Sequence, residues 1–208
     1  MDLTELRAYH EATWSKDSDP LLHSTWRMYP NRPGSSDLAR KLNHYAADVR
    51  AKNPEKFGFF ASLPSLLDKE AAQAEITYAL DSLKVDGIVI FTRYRHENSY
   101  LGNPDVEPIW RELHQRKAVV FVHPTHPVDV IKINPKMPEP MIGYPHETTR
   151  AAMNIIMMGT RRKYPDQGLA TACGWTLPYL VSQLATPMLK VPDFATYHMV
   201  GTTHEKTM

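Results

Sequence analysis

Apolar positions along this chain fall into two alternating kinds of run. Leu38, Leu42, Tyr45, Ala46 and Val49 recur at three- and four-residue steps after Ser35-Ser36-Asp37 and stop at Asn53-Pro54. That pattern predicts an amphipathic helix with a polar N-cap and a proline-enforced end. A short apolar run, Phe57 to Leu63, follows, and then a helix from about Asp68 to Leu83 with Ala72, Ile76, Ala79, Leu80 and Leu83 on one face. Gly87 to Phe91 reads as a strand, Val106, Ile109, Trp110 and Leu113 as a short helix, and Ala118 to Val122 as an apolar strand of the kind covered on both faces. A longer helix is predicted over Glu147 to Tyr164, beginning at Thr148-Thr149 and ended by Pro165. Leu169 to Cys173 makes a poorer strand, because Gly168, Ala170 and Ala172 offer little volume to bury, and Trp175 to Leu180 leads into a last short helix.

Strand and helix repeating at this interval imply parallel strands joined by right-handed crossovers, so the class is α/β. At most four strands are legible, whereas a closed eight-stranded (β/α) barrel takes about 250 residues. A partial barrel is therefore expected. Asp19-Pro20, Tyr29-Pro30 and Arg32-Pro33-Gly34 interrupt any period near the start, which predicts an irregular arm over residues 1–36, an α/β domain over 37–184 and a loose tail over 185–208.

Composition narrows the function classes. With 42% hydrophobic and 23% charged residues in 208, the chain has material for one full core. Twenty-four basic against 23 acidic side chains give a net charge of +1, which offers no electrostatic footprint for nucleic acid or anionic lipid. No apolar window approaches the ~18 residues of a membrane span, and Asp2, Glu5 and Arg7 place charges where a secretory signal needs an apolar stretch. Cys173 is the single cysteine, which excludes an internal disulfide or a multi-thiolate zinc site and favours a reducing compartment. A cytoplasmic protein is expected.

Phe121-Val122-His123-Pro124-Thr125 carries the clearest candidate chemistry, since it puts an imidazole where a buried strand opens into a loop, the position at which barrel enzymes keep ligands. His123 is either an ordinary hydrogen-bonded strand-end histidine or a neutral imidazole offered to a divalent cation or a carboxylate. His126 has no spacing that aligns it with His123 on one ion, and His146-Glu147 lacks a second histidine four residues on. Glu147 reads as a first-turn carboxylate at a helix N-terminus, Met153, Met157 and Met158 as core, and Arg161-Arg162-Lys163 as a solvated helix end. Tyr94-Arg95-His96-Glu97-Asn98 forms a polar cluster after the strand ending at Phe91, read as a surface loop before a catalytic one. Cys173 has no neighbouring base, and no phosphate-cradling glycine loop, Gly-x-Ser-x-Gly or dinucleotide fingerprint occurs.

Several of these stretches together resemble a known family. Ala39 to Asp48, Pro54 to Phe59, Ala61-Ser62-Leu63-Pro64, Asp86-Gly87-Ile88, Phe121-Val122-His123-Pro124, Glu147 to Ala152 and Thr176 to Leu180 fall in the order and spacing of the amidohydrolase-related, metal-dependent decarboxylases. That family includes aminocarboxymuconate-semialdehyde and γ-resorcylate decarboxylases, and the likeness is greatest to the fungal 6-methylsalicylate decarboxylases. The resemblance spans roughly residues 37 to 182, the central part of the family domain, so the strands read above correspond to strands 3–6 of its (β/α)8 barrel. It implies a lyase removing carbon dioxide from a salicylate-like aromatic acid in secondary metabolism, with zinc or manganese held by histidines and an aspartate. His123 corresponds to the fifth-strand metal ligand, and Ala172 occupies the place of the proton-handling histidine on the sixth strand.

The departures set the expectations for activity. No His-x-His pair occurs in the chain, no eighth-strand aspartate is reached, and an alanine cannot transfer a proton. His123 is then the one metal-ligand position of an incomplete, truncated site, no catalytic residue is assigned, and little decarboxylation is expected of the chain by itself. Three readings stay open: an active decarboxylase completed by an unanticipated arrangement or by pairing with a related chain, a catalytically inactive remnant or interaction partner of a full-length enzyme, and an incomplete translation of a larger one. A small aromatic carboxylic acid and a homo-oligomeric partner are the partners this resemblance implies.

Overall fold

The computed structural model describes residues 35–94, 99–125 and 139–171, with positions 134 and 136. The expected arm, apart from its last two residues, and the whole tail lie outside the described residues, as do Arg95, His96, Glu97, Asn98, His126, Ala172 and Cys173. The chain divides into two compact units, Met1–Asp86 and Gly87–Met208.

In the first unit, helix α1 (Ser35–Lys52) precedes strand β1 (Phe60–Ser62) and helix α2 (Lys69–Asp81). Asp68 caps α2 by accepting the backbone N–H of Ala71 at 3.0 Å, as its place before the apolar period implies. The buried face of α1 is rotated from the expected one: Ala39 and Asn43 are buried, whereas Leu42 and Tyr45 are exposed. The cause is polar. The Asn43 side chain donates to the Ser62 carbonyl at 2.9 Å and accepts the Ser62 N–H at 2.8 Å, so it closes the hydrogen bonds of β1 as another strand would. Its amide also donates at 2.8 Å to Glu75, a buried carboxylate that Arg40 approaches to 2.7 Å. Asp86 ends the unit by pairing twice with Phe59, and the Asp86 carboxylate packs closely on Gly58, where a Cβ would stand 2.5 Å from Oδ2.

The second unit holds β2 (Gly87–Phe91), a 3-10 turn at Pro104–Val106, α3 (Glu107–Gln115), β3 (Val119–His123), α4 (Glu139–Met157), α5 (Thr160–Lys163) and β4 (Gly168–Thr171). Within it β2, β3 and β4 lie side by side in that order and run parallel, with Ile90 opposite Val122, Phe91 opposite His123 and Val122 opposite Thr171. Four strands in an α/β alternation match the sequence expectation. The side-chain period of two separates the sheet's faces. Ile88, Ile90, Val120 and Val122 are buried on one face, with Ile109, Trp110 and Leu113 the buried side of α3, and Trp110 Nε1 donates to the Leu101 carbonyl at 2.7 Å. Val89, Phe91, Phe121 and His123 occupy the other face and are only half-buried.

Helix α4 departs most from expectation. It begins eight residues before Glu147, runs through Pro145 and stops at Met157, after which Gly159 turns left-handed at φ 68° and α5 resumes. A proline interior to a helix lacks the N–H that would bond four residues back, which is why the sequence reads as a boundary there. Beyond that proline its buried positions, Glu147, Thr148, Ala151 and Ile155, continue at three- and four-residue steps, and the Thr149 hydroxyl donates to the Pro145 carbonyl at 2.8 Å. Met153, Met157 and Met158 are half-buried at its margin, and Arg161, Arg162 and Lys163 are exposed.

Candidate functional site

His123 is the last residue of β3, where the parallel strands give way to loops. Strand alternation puts it on the same face as Phe121, and register puts Phe91 beside it. The backbone around it is pinned: Thr92 N–H donates to the His123 carbonyl at 3.1 Å, Thr125 N–H donates to Thr92 Oγ1 at 3.0 Å, and the two threonine hydroxyls meet at 2.9 Å. Tyr94, placed by sequence in a surface loop, is buried, and its hydroxyl accepts the Phe91 N–H at 2.9 Å.

The imidazole itself has a defined tautomer. Nδ1 lies 2.9 Å from the Pro124 carbonyl, which only accepts, so Nδ1 carries the proton and the lone pair belongs to Nε2. Burial pushes its pKa below the ordinary histidine value, and the Pro124 hydrogen bond opposes that shift in part, so the ring is neutral at physiological pH. Three aromatic rings surround it: Phe91 at 6.2 Å and edge-on, Phe121 at 6.3 Å, and Tyr144 of α4 at 6.3 Å and edge-on. A neutral nitrogen base walled by aromatic rings suits a flat, aromatic, hydrogen-bonding ligand.

A second polar group lies in the same unit and was not legible in the sequence. Glu147, expected at a helix start, is mid-helix and buried to 1% exposure. The Tyr100 hydroxyl donates to its carboxylate, 3.1 Å from one oxygen and 3.2 Å from the other, and Arg93 Nε stands 3.6 Å away. Arg93 and Tyr100 are themselves joined by a β-bridge. The Arg150 guanidinium lies over the Tyr100 ring at 5.3 Å. Burial, and then the Glu147 charge, hold the Tyr100 phenol up at about 12, so it remains a donor. Helical spacing of Glu147 with Thr148, Ala151 and Ile155 is the signal that marks it as inward-facing, but Pro145 obscures it.

Among the described residues no three His, Cys, Asp or Glu side chains are grouped to hold a metal ion. His123 supplies one donor where such centres use three or four protein ligands, so these residues do not by themselves fit a resident metal. His146 is exposed on α4, and His126 lies outside the described residues. No helix among the described residues is long and apolar enough to cross a membrane.

Comparison with known proteins bears on the same residues. The amidohydrolase family model matches residues 36–173. The 6-methylsalicylic acid decarboxylase of Penicillium expansum is 46% identical over 164 residues, covering 78% of this chain and 51% of that protein. This chain thus spans about half the length of the curated relatives it matches. In fold it resembles a 2,6-dihydroxybenzoate decarboxylase crystallised with 2,6-dihydroxybenzoate, at TM-score 0.70 and 22% identity over 84% of this chain and 60% of that one. A dihydroxybenzoic acid decarboxylase from Polaromonas, solved with manganese and the inhibitor 2-nitroresorcinol, aligns at TM-score 0.59 and 23% identity over 69% of this chain and 46% of that one.

Proposed function

This chain belongs to the amidohydrolase family, and from that premise we propose that it is a decarboxylase-type protein whose rim around His123 receives a salicylate-like aromatic acid. The observation that carries the reading is the collar of Phe91, Phe121 and Tyr144 about a neutral imidazole at a strand's carboxyl end. The 46% identity to a 6-methylsalicylic acid decarboxylase supports the choice of acid.

His123 would accept a hydrogen bond from the acid's phenolic hydroxyl at Nε2, while the rings fix the plane of the aromatic nucleus. Decarboxylation breaks the ring–carboxyl bond, leaves its electron pair on the ring carbon and requires a proton to replace the lost carbon dioxide. By resemblance the residue in the proton-handling position is Ala172, which has no proton to give, so the chain by itself is expected to bind the acid and turn it over slowly.

The test is a binding titration of 6-methylsalicylate against its decarboxylated phenol, followed by carbon-13 resonances of the ligand, with phenol formation measured in parallel. The wild-type chain should bind the acid, and His123→Ala should lose that binding. If the wild-type chain shows no affinity for the acid, the reading is wrong. Sustained carbon dioxide release would refute the expectation attached to Ala172.

A further inference from the structure

We infer that Glu147 is a positioning residue for the His123 rim. It rests on the reading of that rim as the acid-binding site. Glu147 is not one of the rings about His123, yet its carboxylate joins three segments: α4, which carries it, Arg93 beyond the end of β2, and Tyr100 in the loop that follows. Tyr144, which presents its edge to His123, sits three residues before Glu147 on α4, so the two are neighbours on one helix face.

Pro145 lies between them and deprives the helix of one backbone hydrogen bond just where Tyr144 must be aimed. Thr149 Oγ1 donating to the Pro145 carbonyl at 2.8 Å restores a local contact but fixes nothing outside the helix. Asn154 Oδ1 accepts the Gly102 N–H at 2.6 Å two turns further along the helix, and the Glu147 carboxylate is the buried tie nearest Tyr144, reaching Arg93 just past the β2 end, whose Phe91 is the register partner of His123. Rotation of α4 about its axis would stretch the Tyr100 and Arg93 contacts, so the carboxylate sets the gap between Tyr144 and His123. A buried carboxylate is costly to desolvate, and here Tyr100 and Arg93 compensate it across two segments.

The experiment follows the ring C–H resonances of His123, assigned with His123→Gln, in the acid-free chain. These resonances report the positions of the surrounding rings. Glu147→Gln should move them toward the values found in Tyr144→Leu, while Leu113→Ala, a core variant chosen for comparable loss of stability, should leave them in place. Tyr100→Phe keeps the carboxylate and removes its donor, and it should produce the same displacement in smaller measure if Glu147→Gln does not fold. Acid affinity should weaken on the order of tenfold in Glu147→Gln, as misplacement of a site wall implies. Unmoved His123 resonances in Glu147→Gln, or in Tyr100→Phe should the first not fold, would make Glu147 purely structural. That result needs no ligand, so it is separable from failure of the wild-type chain to bind the acid.

Discussion

Among the described residues each unit buries one carboxylate, and the two are held differently. Glu75 of the first unit is 4% exposed and receives short bonds, 2.8 Å from Asn43 and 2.7 Å from Arg40, whose own side chain is 40% exposed. Glu147 of the second unit is more deeply buried, with a neutral phenol at 3.1 Å and a guanidinium at 3.6 Å that is itself 10% exposed. The first is a fastener between two helices and a strand, tight because it serves packing alone. The second is looser, held by a neutral phenol and a buried guanidinium from beyond the end of β2, and it lies on the helix that carries Tyr144, where segments must be aimed as well as joined. Burial of a charge therefore does not by itself separate structure from function; what its partners are attached to does.

The sharpest way to break this comparison is truncation. Glu147→Ala takes a buried carboxylate away from both the Tyr100 hydroxyl and the Arg93 guanidinium and should cost about 3–5 kcal/mol in urea unfolding. Glu75→Ala releases Arg40 to water and should cost less, by at least about 1 kcal/mol. Equal losses would erase the distinction drawn between them. Next in size is a pair of glycines. A Cβ at Gly102 would meet the Asn154 backbone and side-chain oxygens at 2.6 Å, whereas at Gly58 it would meet only the Asp86 side chain. Gly102→Ala is expected to lose about 2–3 kcal/mol and Gly58→Ala about 1, because backbone of a packed helix yields less than a carboxylate. Thermal unfolding of the two variants checks the order.

The smallest effect is that of pH. His123 has a folded pKa depressed from 6.5 by burial, so as pH falls through that value the unfolded chain takes up the proton first. Stability contributed by the neutral ring is present at neutral pH and is lost on mild acidification, levelling off below the folded pKa. The difference in unfolding free energy between wild type and His123→Gln should shrink over that interval. A difference that grew instead would place the imidazole beside a negative charge.

Sequence alone carried the fold class and most element positions: β2 was bounded at both ends, β3 to within one residue, and α2 started beside its Asp68 cap. It also singled out His123, because a strand's apolar run ending in an imidazole is a local pattern, and family resemblance lay in stretches of contiguous residues. Tertiary structure decided the rest. Asn43 displaced Leu42 and Tyr45 from the buried face of α1 because a hydrogen-bonding vacancy on β1, set by chain folding, outweighed hydrophobic periodicity. Glu147 became a buried tie only because Arg93 and Tyr100 arrive from elsewhere in the chain, and Tyr144 became a wall of His123 because α4 persists through Pro145. Local pattern specifies which residues lie on a helix or strand, whereas the partner that makes a buried polar group affordable is nonlocal and is known only once the chain has closed on itself.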